Sequence, residues 1–333
     1  MKCRFPVLIP PFLFLASCQH TFQSNQGPTK DQELELYKTT ALYLYEDGSW
    51  LRAQDQAVKA LEIEPDDRAM RRMIGWIRLR LATNEDLGIA EGFFRKLREE
   101  GDESDSTVLG LATATERLGM ANDEASRDFA SGKRTPPDGT DPALRSTELA
   151  EHARSLWKEA ASLYGRTVDG PEGTTSMNGL QRVHALLGDY EESLKWSERL
   201  LERSVGERAA WRNLLTQTNL TEKEEALYQK SERIASDLVV DTHLFAATLL
   251  NRLGRTEEAL AHLDEVVSDR PNLPQAFSQR AQLRAQTGAY AGAIEDLDRF
   301  LRLSDAPFEH PDIRRAFDLR HECEAKLAEK NGP

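Results

Sequence analysis

Cysteine is scarce in this chain, with three residues in 333, at positions 3, 18 and 323. That is too few for a disulfide framework, so the fold must be held by packing. Aromatic residues make up only 7%, which favours a core of many small contacts over one built around large rings. Positive charge is also short: the formal net charge is -13 and no run is dense in lysine and arginine. A face able to neutralise phosphates is missing, which excludes duplex nucleic acid as the main partner. No glycine-rich phosphate loop with Lys-Ser/Thr, no Gly-x-Ser-x-Gly elbow and no His-Glu-x-x-His occurs. The common signatures of nucleotide hydrolases, serine hydrolases and zinc proteases are thereby absent. His321 and Cys323 are metal-capable, but two positions apart on a helix they point to different faces. The expectation is a protein that is not an enzyme and uses no cofactor, metal or small-molecule substrate.

Lys2 and Arg4 open the chain, Phe5 to Leu15 is an apolar run, and Leu15-Ala16-Ser17-Cys18 follows. The run is too short to cross a bilayer, which takes ~20 apolar residues, and it has the layout of a secretory signal. Its end resembles the lipobox of bacterial lipoproteins. That resemblance implies a signal peptide over residues 1–17, cleavage before Cys18 and covalent lipid on Cys18, followed by a flexible polar tether over 18–33. Two or more acyl chains anchor a protein stably. The implied location is a bacterial cell envelope, and Gln19 after the cysteine points to the periplasmic face of the outer membrane.

Gly48, Ala53, Ala60 and Pro65 are spaced by five, seven and five positions, and Gly254, Ala259, Val266 and Pro271 repeat that spacing. With two amphipathic helices in each period of about 34 residues, this is the pattern of a helical solenoid. Tyr37, Ala41 and Leu44 share one face of a first helix, and Ala53, Ala57, Ala60 and Leu61 share one face of a second. A weaker copy holds Ile74-Gly75, Ala90, Phe94 and Leu97. A third has Leu111-Ala112 and a turn at Gly119, its second helix failing at Ser131-Gly132. Pro136-Pro137, Gly139 and Pro142 mark a linker over 132–142. Repeats resume at Leu180 and Gly188, continue in a degraded copy with Trp211, Leu214 and Ala226, and are clearest around Gly254 and Gly288. Trp50, Trp157 and Trp211 read as core. Residues 309–333 form a charged helix with Ile313, Ala316, Phe317, Cys323 and Leu327 on one face, a solvating cap.

Tyr37, Gly48, Trp50, Ala53, Ala60 and Pro65 resemble the tetratricopeptide repeat. The resemblance implies an all-α fold, a right-handed superhelical solenoid of about six such helix pairs, with N-terminal repeats over 34–131, C-terminal repeats over 143–308 and the cap. In that family the first helix of each pair lines a concave face. Carried over, this places Arg72, Trp76, Asn178, Arg182, Arg212, Asn219, Asn251, Arg252, Gln282 and Gln286 there. Four arginines and no acid in a chain of charge -13 would reverse the local sign and suit an acidic or C-terminal peptide. Leu42 stands where the family's carboxylate clamp would carry asparagine. The expected function is a lipid-anchored scaffold for protein or peptide partners, of the kind that assists outer-membrane, pilus or cell-wall assembly. Two alternatives stay open: an enzyme or enzyme subunit with a site in the irregular stretch 165–175, and a secreted soluble binding protein.

Overall fold

The computed structural model describes residues 28–331. The signal peptide, Cys18 and most of the tether lie outside the described residues. Within them the chain is all-α and forms thirteen helices. In order they are α1 (Lys30–Glu46), α2 (Trp50–Ile63), α3 (Arg68–Leu81), α4 (Asn84–Glu99), α5 (Asp105–Ala130), α6 (Pro142–Thr167), α7 (Gly173–Leu187), α8 (Tyr190–Leu215), α9 (Glu222–Arg252), α10 (Thr256–Asp269), α11 (Pro274–Gln286), α12 (Tyr290–Leu303) and α13 (Pro311–Asn331). Each helix packs on the next, giving six antiparallel pairs and a final helix. None of them is long and apolar enough to cross a membrane.

Local chemistry sets the helix ends. Thr29 and Gln32 form a capping box at α1, and Thr221 and Glu224 form one at α9, each satisfying amide groups that the first turn leaves open. Gly48 and Gly254 sit between paired helices at φ of 82° and 75°, where a side chain would be strained. In the second pair Ala82 takes that role at φ 57°. Ala53, Ala57 and Ala60 of α2 and Ala41 of α1 are fully buried, so the first two helices approach closely.

The middle of the chain departs from the sequence reading. Gly119 is not a turn. It lies inside the continuous helix α5, where the Trp157 indole of α6 lies against it and leaves no room for a side chain. The prolines and glycines of 132–142 form the loop joining α5 to α6, two helices of 26 residues that pack on each other. That loop is therefore inside the third helix pair. No degraded repeat stands around Trp211 either, because Trp211 and Leu214 belong to α8 and Ala226 to α9. From 205 to 234 no residue is buried, and these two half-helices meet through Trp211 and Tyr228, 5.8 Å apart, and through Arg212 and Glu232.

At the C-terminal end α13 buries Ile313, Ala316 and Cys323. Ile313 and Ala316 pack with Phe277, Leu297 and Phe300 of α11 and α12. Among the described residues no helix covers α1 in the same way. Five of the eleven large apolar side chains exposed among them lie on α1 and α2: Leu36, Leu42, Tyr43, Leu51 and Val58.

Candidate functional site

Helices α1, α3, α5 and the start of α7 converge on a cavity of about 1240 Å³. Leu42 and Tyr43 of α1, Met73 and Trp76 of α3 and Leu109 of α5 give it apolar walls, and Thr175 of α7 also lines it. Trp76 is held in place from both sides. Its ring meets Phe94 edge-on at 5.6 Å, and its Nε1 donates to Ser106 Oγ at 3.1 Å. Leu42 and Tyr43 are 51% and 66% exposed, and such a surface is commonly a place where something else binds.

Of the five charged side chains that line this cavity, Lys38 and Arg72 are neutralised from within. Lys38 bonds Glu64 at 2.7 Å and Asp67 at 2.6 Å, contacts that hold its ammonium above the usual lysine range. Arg72 donates to Asp102 at 2.6 Å. Burial alone would raise that carboxyl, but hydrogen bonds from Ser104, Thr107 and Arg72 hold it down at about 2. Glu46, Glu172 and Arg80 make no ion pair among the described residues, so two acids and one base are left. Arg80 instead stands over the Trp50 ring at 5.7 Å.

Of the ten residues placed on the inner face from sequence, only Arg72 and Trp76 line this cavity. Asn178 accepts from the Gln181 amide on α7. Arg182 forks onto Glu116 of α5 at 2.8 and 2.9 Å. Arg212 pairs with Glu232 at 2.7 Å, and Arg252 donates to the Tyr190 hydroxyl at 2.8 Å. Asn219 is not on a helix face; it lies in the connection between α8 and α9. Asn251, Gln282 and Gln286 are exposed on α9 and α11. The expected reversal of sign is thus cancelled, since three of the four arginines meet acids from elsewhere in the array. Sequence reasoning missed Tyr43, Met73 and Leu109, which carry the apolar wall.

The stretch 165–175 contributes Glu172 and Thr175 to the main cavity. Gly165 is still in α6 and Thr175 is already in α7, and the turn between them is tightly filled. A side chain at Gly170 would collide with Asp105, and one at Gly173 with the Val168 carbonyl. A second, smaller cavity of about 170 Å³ includes Arg208, His243 and Asp269. His243 and His262 share a hydrogen bond between their Nδ1 atoms at 2.9 Å, and burial holds both rings below the usual histidine range. No group of three metal-capable side chains occurs among the described residues.

Fold and site together define an α-solenoid of antiparallel helix pairs with an apolar inner cavity at its N-terminal end. No family model matches the chain. It is similar to the rice U-box domain-containing protein 70, 29% identical over 140 residues, covering 42% of this chain and only 16% of that protein's length. Among solved structures, a thermophilic TPR protein of Thermus thermophilus aligns over 79% of this chain and 99% of its own, at 16% identity and TM-score 0.39. The TPR2AB domain of yeast Sti1, in a complex with pHSP90, aligns over 87% and 98%, at 15% identity and TM-score 0.33. The stacked helix pairs described above, rather than these scores, define the architecture.

Proposed function

We propose that this chain is a non-enzymatic, membrane-anchored scaffold of a bacterial cell envelope that holds protein or peptide partners in the cavity between α1, α3, α5 and α7. The observation that carries this reading is the cavity itself. It exceeds the ~300–1,000 Å³ of small-molecule pockets, and its apolar side chains are presented on helices that brace one another. A segment of another chain is the ligand class that fits such a groove. Anchoring rests on the lipobox-like Leu15 to Cys18, and the place of action on Gln19.

Photo-crosslinking from Ser106 in intact cells tests the groove. A discrete partner adduct is expected, reduced about tenfold or more by Met73→Glu, as for a central interface contact. Equal adducts in wild type and variant, or none, would remove the cavity from partner binding. Anchoring is tested separately by palmitate labelling, with label expected in wild type and lost in Cys18→Ala. An unlabelled wild-type chain would favour the secreted soluble reading.

A further inference from the structure

The first helix pair differs from the others in two respects at once. It holds nearly half of the large apolar side chains exposed among the described residues, and it concentrates the negative charge. Between Lys30 and Asp67 there are ten carboxylates against four bases, Lys30, Lys38, Arg52 and Lys59. Lys38 is already engaged with Glu64 and Asp67. On α1 the residues Glu35, Leu36, Thr39, Leu42, Tyr43 and Glu46 recur at three- and four-residue spacing, which puts them on one side of the helix. All six are exposed. Asp31, Glu33, Glu35 and Glu46 have no ion-pair partner among the described residues.

We infer that this side of α1, running into the main cavity through Leu42, Tyr43 and Glu46, is a docking site for a cationic amphipathic helix of a partner protein. The inference rests on the cavity being a partner groove and adds the partner's charge. The apolar side of such a helix would cover Leu36, Leu42 and Tyr43, and its lysines and arginines would face Glu35 and Glu46. Charge complementarity selects this occupant over two others. A second copy laid antiparallel along α1 would bring Glu35 and Glu46 of one chain toward Glu46 and Glu35 of the other, a like-charge contact. An anionic lipid surface would be repelled by the same carboxylates. Arg80, across the cavity, is an opposing cation, but its guanidinium is turned onto Trp50.

The test uses the full chain and a synthetic leucine–lysine amphipathic helix of about four turns, with a leucine–glutamate helix as its counterpart. Titration calorimetry at about 0.15 M salt is expected to show the lysine helix binding at least tenfold more tightly than the glutamate helix. In Glu35→Lys/Glu46→Lys, a surface change whose folding is checked by circular dichroism, that preference should disappear or invert. Glu309→Lys/Glu329→Lys removes the same charge at the other end of the array and should leave binding within about twofold. Equal loss from both double variants would show general attraction to an acidic protein and overturn the site. So would a chain that sediments as a dimer dispersed by Leu36→Asp, or one that binds anionic vesicles through α1. If crosslinks from Ser106 persist while the lysine helix shows no preference, the groove stands and only the partner's charge is refuted.

Discussion

Replacing Phe94 with alanine should cost about 4 kcal/mol of unfolding free energy, measured by urea titration of far-UV circular dichroism. The ring of Phe94 is fully buried on α4. It lies against two helices that meet it with glycine. A Cβ at Gly75 on α3 would stand 2.7 Å from the ring, and one at Gly110 on α5 would overlap it. Neither glycine has a side chain that could relax into the hole, so the loss should sit well inside the ~3–5 kcal/mol range for such truncations. The same contact sets the sign of a second change. In the wild type Gly110→Ala forces the ring aside, and overpacking of roughly 1–3 kcal/mol outweighs the ~1 kcal/mol that alanine contributes in a helix. With Phe94→Ala in place the clash is gone and the helix preference remains, so Gly110→Ala should stabilise. A Gly110→Ala effect of the same sign in both backgrounds would mean that the ring does not fill that space. The stake reaches the cavity, because Phe94 also supports the edge of Trp76.

Glycine explains much of what is legible in the sequence and what is not. Gly48, Gly254 and Gly288 can be read as turns because each is followed two residues later by the first residue of the next helix, Trp50, Thr256 and Tyr290. Gly75, Gly110, Gly119 and Gly179 serve a different purpose, giving room to Phe94, Trp157 and Tyr164 from adjoining helices. Spacing alone does not separate the two uses, which is why Gly119 resembles a turn until its neighbours are known. The second pair looks weak in sequence partly because Ala82 occupies its left-handed turn position. Its helices are otherwise regular. The inner face is harder to read for a physical reason. The partners of Arg72 and Arg182 stand 30 and 66 positions away, Asp102 in the loop between α4 and α5 and Glu116 on α5, brought near only by stacking. Local sequence shows the arginines but not the acids that neutralise them. Which stretch of the inner face encloses a cavity depends on the curvature of the whole array, and no repeat taken singly encodes that.

Arg182→Met should destabilise the chain by about 3 kcal/mol, the low end of what breaking a buried ion pair costs, since solvent reaches part of the guanidinium. Its partner Glu116 is only 2% exposed and accepts the Arg182 fork from α7 together with the Tyr164 hydroxyl from α6 at 2.6 Å. Burial, reinforced by the adjacent carboxylate, pushes the Tyr164 phenol up, so it stays a donor through the physiological range. Three helices are joined at this one carboxylate. Without Arg182 a negative charge is left in the core with a single neutral donor beside it, the Tyr164 hydroxyl, which also reaches Thr113. Without Glu116 the outcome differs, because the arginine is long enough to turn its head to water. Glu116→Gln should therefore cost only about 1–2 kcal/mol, the size of a weakened hydrogen-bond network. The double variant Arg182→Met/Glu116→Met removes both charges and should recover most of the loss of Arg182→Met, leaving mainly a Tyr164 hydroxyl whose remaining partner is Thr113 at 3.4 Å. Urea titrations of the two single variants and the double variant make that comparison. A double variant less stable than Arg182→Met would show that the network stabilises the fold beyond cancelling its own charge, and the third helix pair would then owe its geometry to that carboxylate as much as to the packing of Trp157 on Gly119.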